Sequence, residues 1–139
     1  MQQPIARLVR EEIHALMLEG ADRAAIRRAV RMQVMTALDT MDLTAVRVEQ
    51  VAYAAMQGAV EAAERTGRPI DIVGQEASAG TLDAVKEKGG QVAHYMKAAL
   101  QGGTAALEEY TAKLKGMASE AAEKSRQALH TLIERLKSL

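Results

Sequence analysis

Apolar or small residues recur every three or four positions along the C-terminal part of the chain, from Leu82 to Leu139. This spacing lies between the 3.5-residue repeat of a coiled-coil seam and the 3.6 residues of one α-helical turn. It predicts a long, amphipathic, coiled-coil-like helix over residues 81–139, about 85 Å in length at about 1.5 Å per residue. A helix of that length needs a second copy, a partner or a surface to cover its apolar face.

Two glycine pairs interrupt this stripe, Gly89–Gly90 and Gly102–Gly103. A glycine inside a helix costs about 1 kcal/mol relative to alanine. Gly89 and Gly103 fall on the apolar seam, where a missing side chain lets another helix approach closely. The alternative is a turn at either pair. Because the apolar phase continues across both pairs, we expect a continuous or merely kinked helix.

The N-terminal part, residues 1–66, predicts three shorter helices. The first runs from Ile5 to Glu19 and ends at Gly20. The second follows Asp22, whose carboxylate can cap the free N–H groups of a first turn. The third covers Leu43 to Arg65, after a similar cap at Asp42. We expect the first two to form an antiparallel helical hairpin.

The first two predicted helices also resemble each other at an offset of 21 residues. Ile5 matches Ile26, and Val9 matches Val30. A short duplication explains this match, and so do two amphipathic helices that use the same residue types. The sequence leaves both explanations open.

Between the two parts, Gly67 and Pro69 combine a helix stop with a residue that cannot continue a helix. Gly74, Ser78 and Gly80 then weaken the helical pattern. Residues 67–80 are therefore predicted to form a linker or a frayed helix.

The composition supports an all-α fold. The chain has no Phe or Trp, three Tyr, eight Met and only two Pro, so alanine, methionine and aliphatic side chains must pack closely, as helices allow. No cysteine is present, which excludes disulfides and thiolate ligands. The N-terminal residues lack the pattern of a signal peptide, and no apolar run is long enough to span a membrane. A cytoplasmic protein is expected.

No catalytic constellation is recognisable. Glu11 and His14 have the spacing of one half of a di-iron carboxylate site, but the second Glu-x-x-His pair that such a site needs is missing. Phosphate-loop and nucleophile motifs are absent as well. The sequence predicts a protein that is not an enzyme and has no metal or cofactor.

Four arginines form a candidate anion contact on the second predicted helix: Arg23, Arg27 and Arg31 in one row, with Arg28 beside it. Arginine rows can bind phosphate groups. However, the 18 basic and 18 acidic residues balance, and nucleic-acid-binding proteins usually carry a basic excess. Nucleic acid is therefore the less favoured partner, and a solvated helix face is the simpler interpretation.

The pattern favours a non-enzymatic interaction or scaffold protein that forms a homo-oligomer through its C-terminal helix or binds a protein partner. The predicted interface consists of Leu107, Tyr110, Leu114, Met117, Leu129, Leu132 and Leu136. The Ala-rich run from Met117 to Lys124 also resembles, in composition, the phasins that coat polyester storage granules and the desiccation-associated helical proteins. That resemblance implies an alternative, in which the stripe coats a lipid or granule surface.

Overall fold

The computed structural model describes residues 2–40, 42–117 and 119–139, with side chains from residue 5 onward. The described part is all-α, as the composition predicts, and contains six helices and no strand. They are α1 (Gln2–Leu18), α2 (Arg23–Asp39), α3 (Ala45–Thr66), α4 (Ile70–Lys88), α5 (Val92–Lys115) and α6 (Glu120–Lys137).

Short polar side chains mark the beginning of three helices. Asp22 accepts a hydrogen bond from the backbone N–H of Ala25 at 2.9 Å, so the predicted cap of α2 is confirmed. Thr44 caps α3 in the same way, although the sequence favoured Asp42. Ser119 caps α6. Each cap satisfies a backbone donor that the first helical turn leaves free.

The single helix predicted over residues 81–139 is not confirmed, because this segment belongs to three helices. α4 ends at Lys88, and Gly89 and Gly90 both have φ values near 74° (74° and 73°), a region that side chains disfavour. α5 continues through Gly102 and Gly103 and ends before Gly116. The spacing of apolar residues continues from one helix to the next because each helix buries its apolar stripe in the same core. The apolar periodicity therefore indicated which residues are buried, and it did not indicate that the helix is continuous.

Residues 70–80, predicted to be part of a linker or frayed helix, form the first half of α4. Gly74, Ser78 and Gly80 are buried there. Small residues weaken an isolated helix, but they permit close contact between helices, and that packing offsets the cost.

The largest contacts are between a helix and the helix two places further along the chain. α3 lies at the centre, with α1 and α5 against it, while α2 packs against α4. The partners in each of these pairs run parallel, since residue numbers rise together along the contact: Arg23 meets Glu76, and Arg31 meets Glu87. Three to five residues separate consecutive helices along the chain.

The core is filled without large aromatic rings. Ile13, Met56, Leu107 and Leu129 are its largest fully buried side chains, and alanines of α3 fill the space around them. Alanine brings helix axes close together, so much of the contact is between backbones.

Candidate docking groove

Three glycines of the described chain lie where one helix crosses the backbone of another. A Cβ atom at Gly58 of α3 would overlap the carbonyl oxygen of Ala6 in α1. At Gly80 of α4 it would overlap the carbonyl oxygen of Arg27 in α2, and at Gly102 of α5 that of Glu49 in α3. Any side chain at these positions would push the helices apart.

These crossings recur at a constant interval. Gly58, Gly80 and Gly102 are each 22 residues apart, while the contacted carbonyls at Ala6, Arg27 and Glu49 are 21 and 22 residues apart. The same backbone contact is therefore made three times by helices in equivalent places. The 21-residue match between the first two helices in the sequence is the first step of this interval. We call it the 22-residue repeat.

Polar contacts follow the same interval. Arg31 of α2 pairs with Glu87 of α4 at 2.5 Å, and the Tyr53 hydroxyl of α3 donates to the Glu109 carboxylate of α5. In both contacts the partner lies 56 residues further along the chain. Arg10 of α1 is equivalent to these two donors, and it pairs at 2.9 Å with Glu61 of α3, which lies 51 residues further along the chain. In each case a hydrogen-bond donor on one helix binds a carboxylate on the helix two places further along the chain.

On α5 the corresponding face is open. It forms the floor of a groove of about 900 Å³ between α4, α5 and α6. The residues that line this α5 groove are Leu82 and Lys86 of α4; Ala93, Met96, Lys97, Leu100, Gln101, Thr104, Ala105 and Glu108 of α5; and Leu136, Lys137 and Leu139 at the end of the chain.

The α5 residues that line the groove are equivalent, in the 22-residue repeat, to the α3 residues that contact α5. The α3 residues that contact α5 or line a small cavity shared with it are Glu49, Tyr53, Met56, Gln57, Val60, Glu61 and Glu64. If 44, which is two repeat lengths, is added to each of these residue numbers, the result is in every case a residue that lines the α5 groove. The groove is therefore the surface on which the repeat would place one more helix.

The rim of the groove carries positive charge. Lys86, Lys97 and Lys137 come from three different helices, and the acid that lines the groove, Glu108, lies 3.4 Å from Lys137. The floor is apolar or small, with Leu82 and Leu100 half-buried. An amphipathic helix with acidic residues beside its apolar face fits these properties.

The structure places most of the predicted oligomer interface inside the chain. Five of the seven residues are buried, with exposed fractions of 0–5 %: Leu107, Leu114, Leu129, Leu132 and Leu136. Tyr110 is half-buried and donates a hydrogen bond to Glu64, while Met117 is exposed. Only Leu136 also lines the α5 groove. The stripe that suggested an intermolecular seam is therefore mainly the intramolecular contact of α5 and α6.

The arginine row is engaged within the chain. Arg23, Arg27 and Arg31 pair with Glu76, Asp83 and Glu87 of α4. The two hydrogen bonds from Arg27 lower the pKa of Asp83 below its ordinary value of 3.8.

Arg28, the fourth predicted anion contact, is exposed on α2. Its three neighbours in the row already bind carboxylates, so a phosphate group would have to displace an acid from each of them. Sequence reasoning missed these acids, because they lie more than 50 residues away.

A second cavity, of about 560 Å³, lies between the α3–α4 and α5–α6 turns. Its polar residues have mixed charge and include Arg68, Asp71 and Lys124. Burial, together with the hydrogen bond to Glu64, raises the pKa of Tyr110 at its edge. Among the described residues, no group of three or more acidic or histidine side chains is placed to hold a metal ion.

Comparison with protein families, curated proteins and solved structures found no match. No helix in the described ranges is long and apolar enough to cross a membrane.

Proposed function

We propose that this protein is a non-enzymatic interaction protein, a helical scaffold or adaptor, and that the α5 groove is its docking surface. One observation carries the proposal: the groove repeats, position for position, the α3 surface that holds α5. A surface of this kind recognises a helix that presents a small residue at the crossing and apolar residues on either side.

The repeat defines how such a helix would bind. It would run parallel to α5 and cross it over the backbone between Ala93 and Lys97, which corresponds to the Glu49–Tyr53 crossing in α3. Its apolar side chains would pack against Leu82 and Leu100. Lys97 corresponds to Arg10, Arg31 and Tyr53, so it would bind an acid of the incoming helix.

The two alternatives from the sequence have less support. A lipid or granule coat needs the apolar stripe of α5 and α6 at the surface, yet Leu107, Leu129 and Leu132 are buried in the core. Nucleic-acid binding through Arg27 or Arg31 needs their ion pairs with α4 to open, which offsets the gain from phosphate contacts.

The proposal is tested by titrating the isotopically labelled full-length chain with a designed amphipathic peptide. The peptide carries a Leu/Ala face flanked by Glu, and its matched control replaces every Glu by Lys. The Glu peptide should shift the backbone amide resonances of Lys97, Leu100 and Thr104, and the Lys peptide should not. In the Lys97→Glu variant this preference should weaken or reverse. If neither peptide perturbs the groove, the α5 groove is not a helix-docking surface.

A further inference from the structure

We infer that the helix entering the α5 groove is α1 of a second copy of this chain, so that copies associate head to tail. This inference rests on the proposed function, since it names the occupant of the same groove. It is supported by the repeat position of one small residue, by the exposed apolar residues of α1 and by charge.

The small residue is Ala15. Moving back along the repeat from Gly58 by 22 and then 21 residues gives Ala15, the α1 counterpart of the three crossing glycines. Ala15 is exposed, whereas Gly58, Gly80 and Gly102 are buried. Alanine is the smallest residue after glycine and favours the helix, and its Cβ atom would hold the docked helix further from α5 than α5 lies from α3 at Gly102.

Apolar side chains lie on both sides of Ala15 on the same face of α1. Leu8 is 47 % exposed and Leu18 is 74 % exposed. Positions 8, 15 and 18 are separated by seven and three residues, which places them on one face of a helix. The packed face of α1, with Val9 and Ile13, lies on the opposite side and is buried against the core. The exposed face of α1 thus offers two leucines around a small residue.

The acids of α1 and the lysines of the groove have opposite charges, and the exposed Arg7 is the basic residue one turn before Glu11. Glu11 and Glu19 lie on the exposed face of α1, one helical turn before and after Ala15. The groove presents Lys86, Lys97 and Lys137. With Ala15 at the crossing, Glu19 follows it by four residues, whereas Glu61 follows Gly58 by three and Glu87 follows Gly80 by seven, so this acid lies near the repeat positions but not at one of them. Complementary charge of this kind determines the partner and the register.

The exposed face of α1 and the α5 groove are different surfaces at opposite ends of the repeat. The contact is therefore heterologous: each copy uses one surface to bind one neighbour and the other surface to bind the next. A copy whose groove is filled still exposes its own α1, and a copy whose α1 is docked still exposes its own groove. Association therefore continues beyond a dimer, into an open chain or a closed ring. Each added copy continues the helix array of the copy before it, as in stacked repeat proteins.

The test measures the solution mass of the full-length protein by sedimentation velocity over a wide range of concentrations. The wild type should exceed the 15.0 kDa of one chain and grow with concentration. Ala15→Arg places a long cation at the crossing, next to the lysines, and should weaken association about tenfold or more. It should leave α1 folded, because the introduced guanidinium would lie one turn from both Glu11 and Glu19. Gln50→Arg, at an exposed position of α3, is the matched control and should associate like the wild type.

A second variant blocks the groove. Ala93→Glu combined with Lys97→Glu should weaken association to a similar extent, whereas Lys115→Glu, on the same helix but outside the groove, should not. Circular dichroism of each variant checks that its helix content is unchanged.

Mixing the two blocked variants is the decisive step. The Ala15→Arg chain keeps its groove, and the groove variant keeps its α1 face, so together they should form a heterodimer that grows no further. Association that survives in both variants alone, or a mixture that stays monomeric, overturns the inference. A monomeric wild type at every concentration overturns it as well. If the Glu peptide still binds the groove in that case, the proposed function stands with a different occupant; if the peptide also fails, both fall.

Discussion

The hydroxyl of Tyr53 donates a hydrogen bond to the carboxylate of Glu109, and this contact joins α3 to α5 at the same repeat positions at which Arg31 of α2 pairs with Glu87 of α4. A neutral phenol thus occupies the place of a guanidinium. The hydrogen bond, with burial as a second cause, raises the pKa of Tyr53, because it favours the protonated phenol.

This equivalence predicts the effect of two substitutions at one position. Tyr53→Phe removes the hydrogen bond to a partly exposed carboxylate and should lower the free energy of unfolding by about 0.5–1.5 kcal/mol. Tyr53→Arg recreates the Arg31–Glu87 type of pair and should leave a stability close to that of the wild type. Urea denaturation followed by circular dichroism measures both. A loss for Arg as large as that for Phe would contradict the equivalence of the two positions.

The adjacent glycines of α5 should respond in opposite ways to the same substitution. Gly102→Ala places a methyl group against the carbonyl oxygen of Glu49 and should destabilise the fold by about 1–3 kcal/mol, since two backbones must separate. Gly103→Ala meets only the terminal methyl of Met56, at 3.5 Å. It should be neutral or stabilising by up to about 1 kcal/mol, because alanine favours the helix. Thermal or urea unfolding of the two variants is the measurement, and equal effects would argue against the crossing at Gly102.

The ion pair between Arg27 and Asp83 predicts a dependence on pH. The pKa of Asp83 is lowered in the folded state, so the pair adds stability above the ordinary value of 3.8, and this contribution is lost as the pH falls through the folded-state value. Arg27→Gln should therefore cost about 0.5–1 kcal/mol at neutral pH, as for other partly exposed pairs, and almost nothing in strong acid. Arg28→Gln, at the exposed neighbouring position, is the control and should have little effect at either pH.

The burial of the C-terminal stripe predicts how the protein responds to lipid. Because Leu107, Leu129 and Leu132 are packed in the core, the protein should be highly helical in buffer, and anionic vesicles should leave its far-ultraviolet circular dichroism unchanged. A modest helical signal that rises strongly with vesicles would favour the coating alternative instead, since the stripe would then fold only on a surface.

The sequence was sufficient for the fold class, and for the cap of α2 at Asp22, because helical periodicity and capping are local properties. It did not distinguish Gly89, which ends a helix, from Gly102, which lies inside one. That difference depends on what faces each glycine. Gly102 is held against the backbone of α3, whereas a Cβ atom at Gly89 would meet nothing within 4 Å.

The candidate site was harder to predict for the same reason. The α5 groove is formed by three helices, and its lysines are far apart in sequence. The 21-residue match between Ile5 and Ile26 agrees with the spacing of the crossings, but its residues lie on α1 and α2, which do not line the groove. The glycines at 58, 80 and 102 carried the stronger signal, because their spacing is constant and each is required by a close crossing. The sequence alone does not separate these three glycines from the other seven, because only the contacts show where a backbone excludes a side chain.

A constant interval also means that the chain is built from interchangeable modules. Residues 45–88 span two repeat lengths and contain two glycines that enter crossings, Gly58 and Gly80, and one backbone that receives a crossing, between Glu49 and Tyr53. A chain lengthened by a second copy of this segment would place Gly58 of the copy opposite the backbone between Glu49 and Tyr53, in a crossing of the kind that Gly102 makes. Lengthening the molecule by such a segment would reuse a crossing that the protein already has, as in repeat proteins.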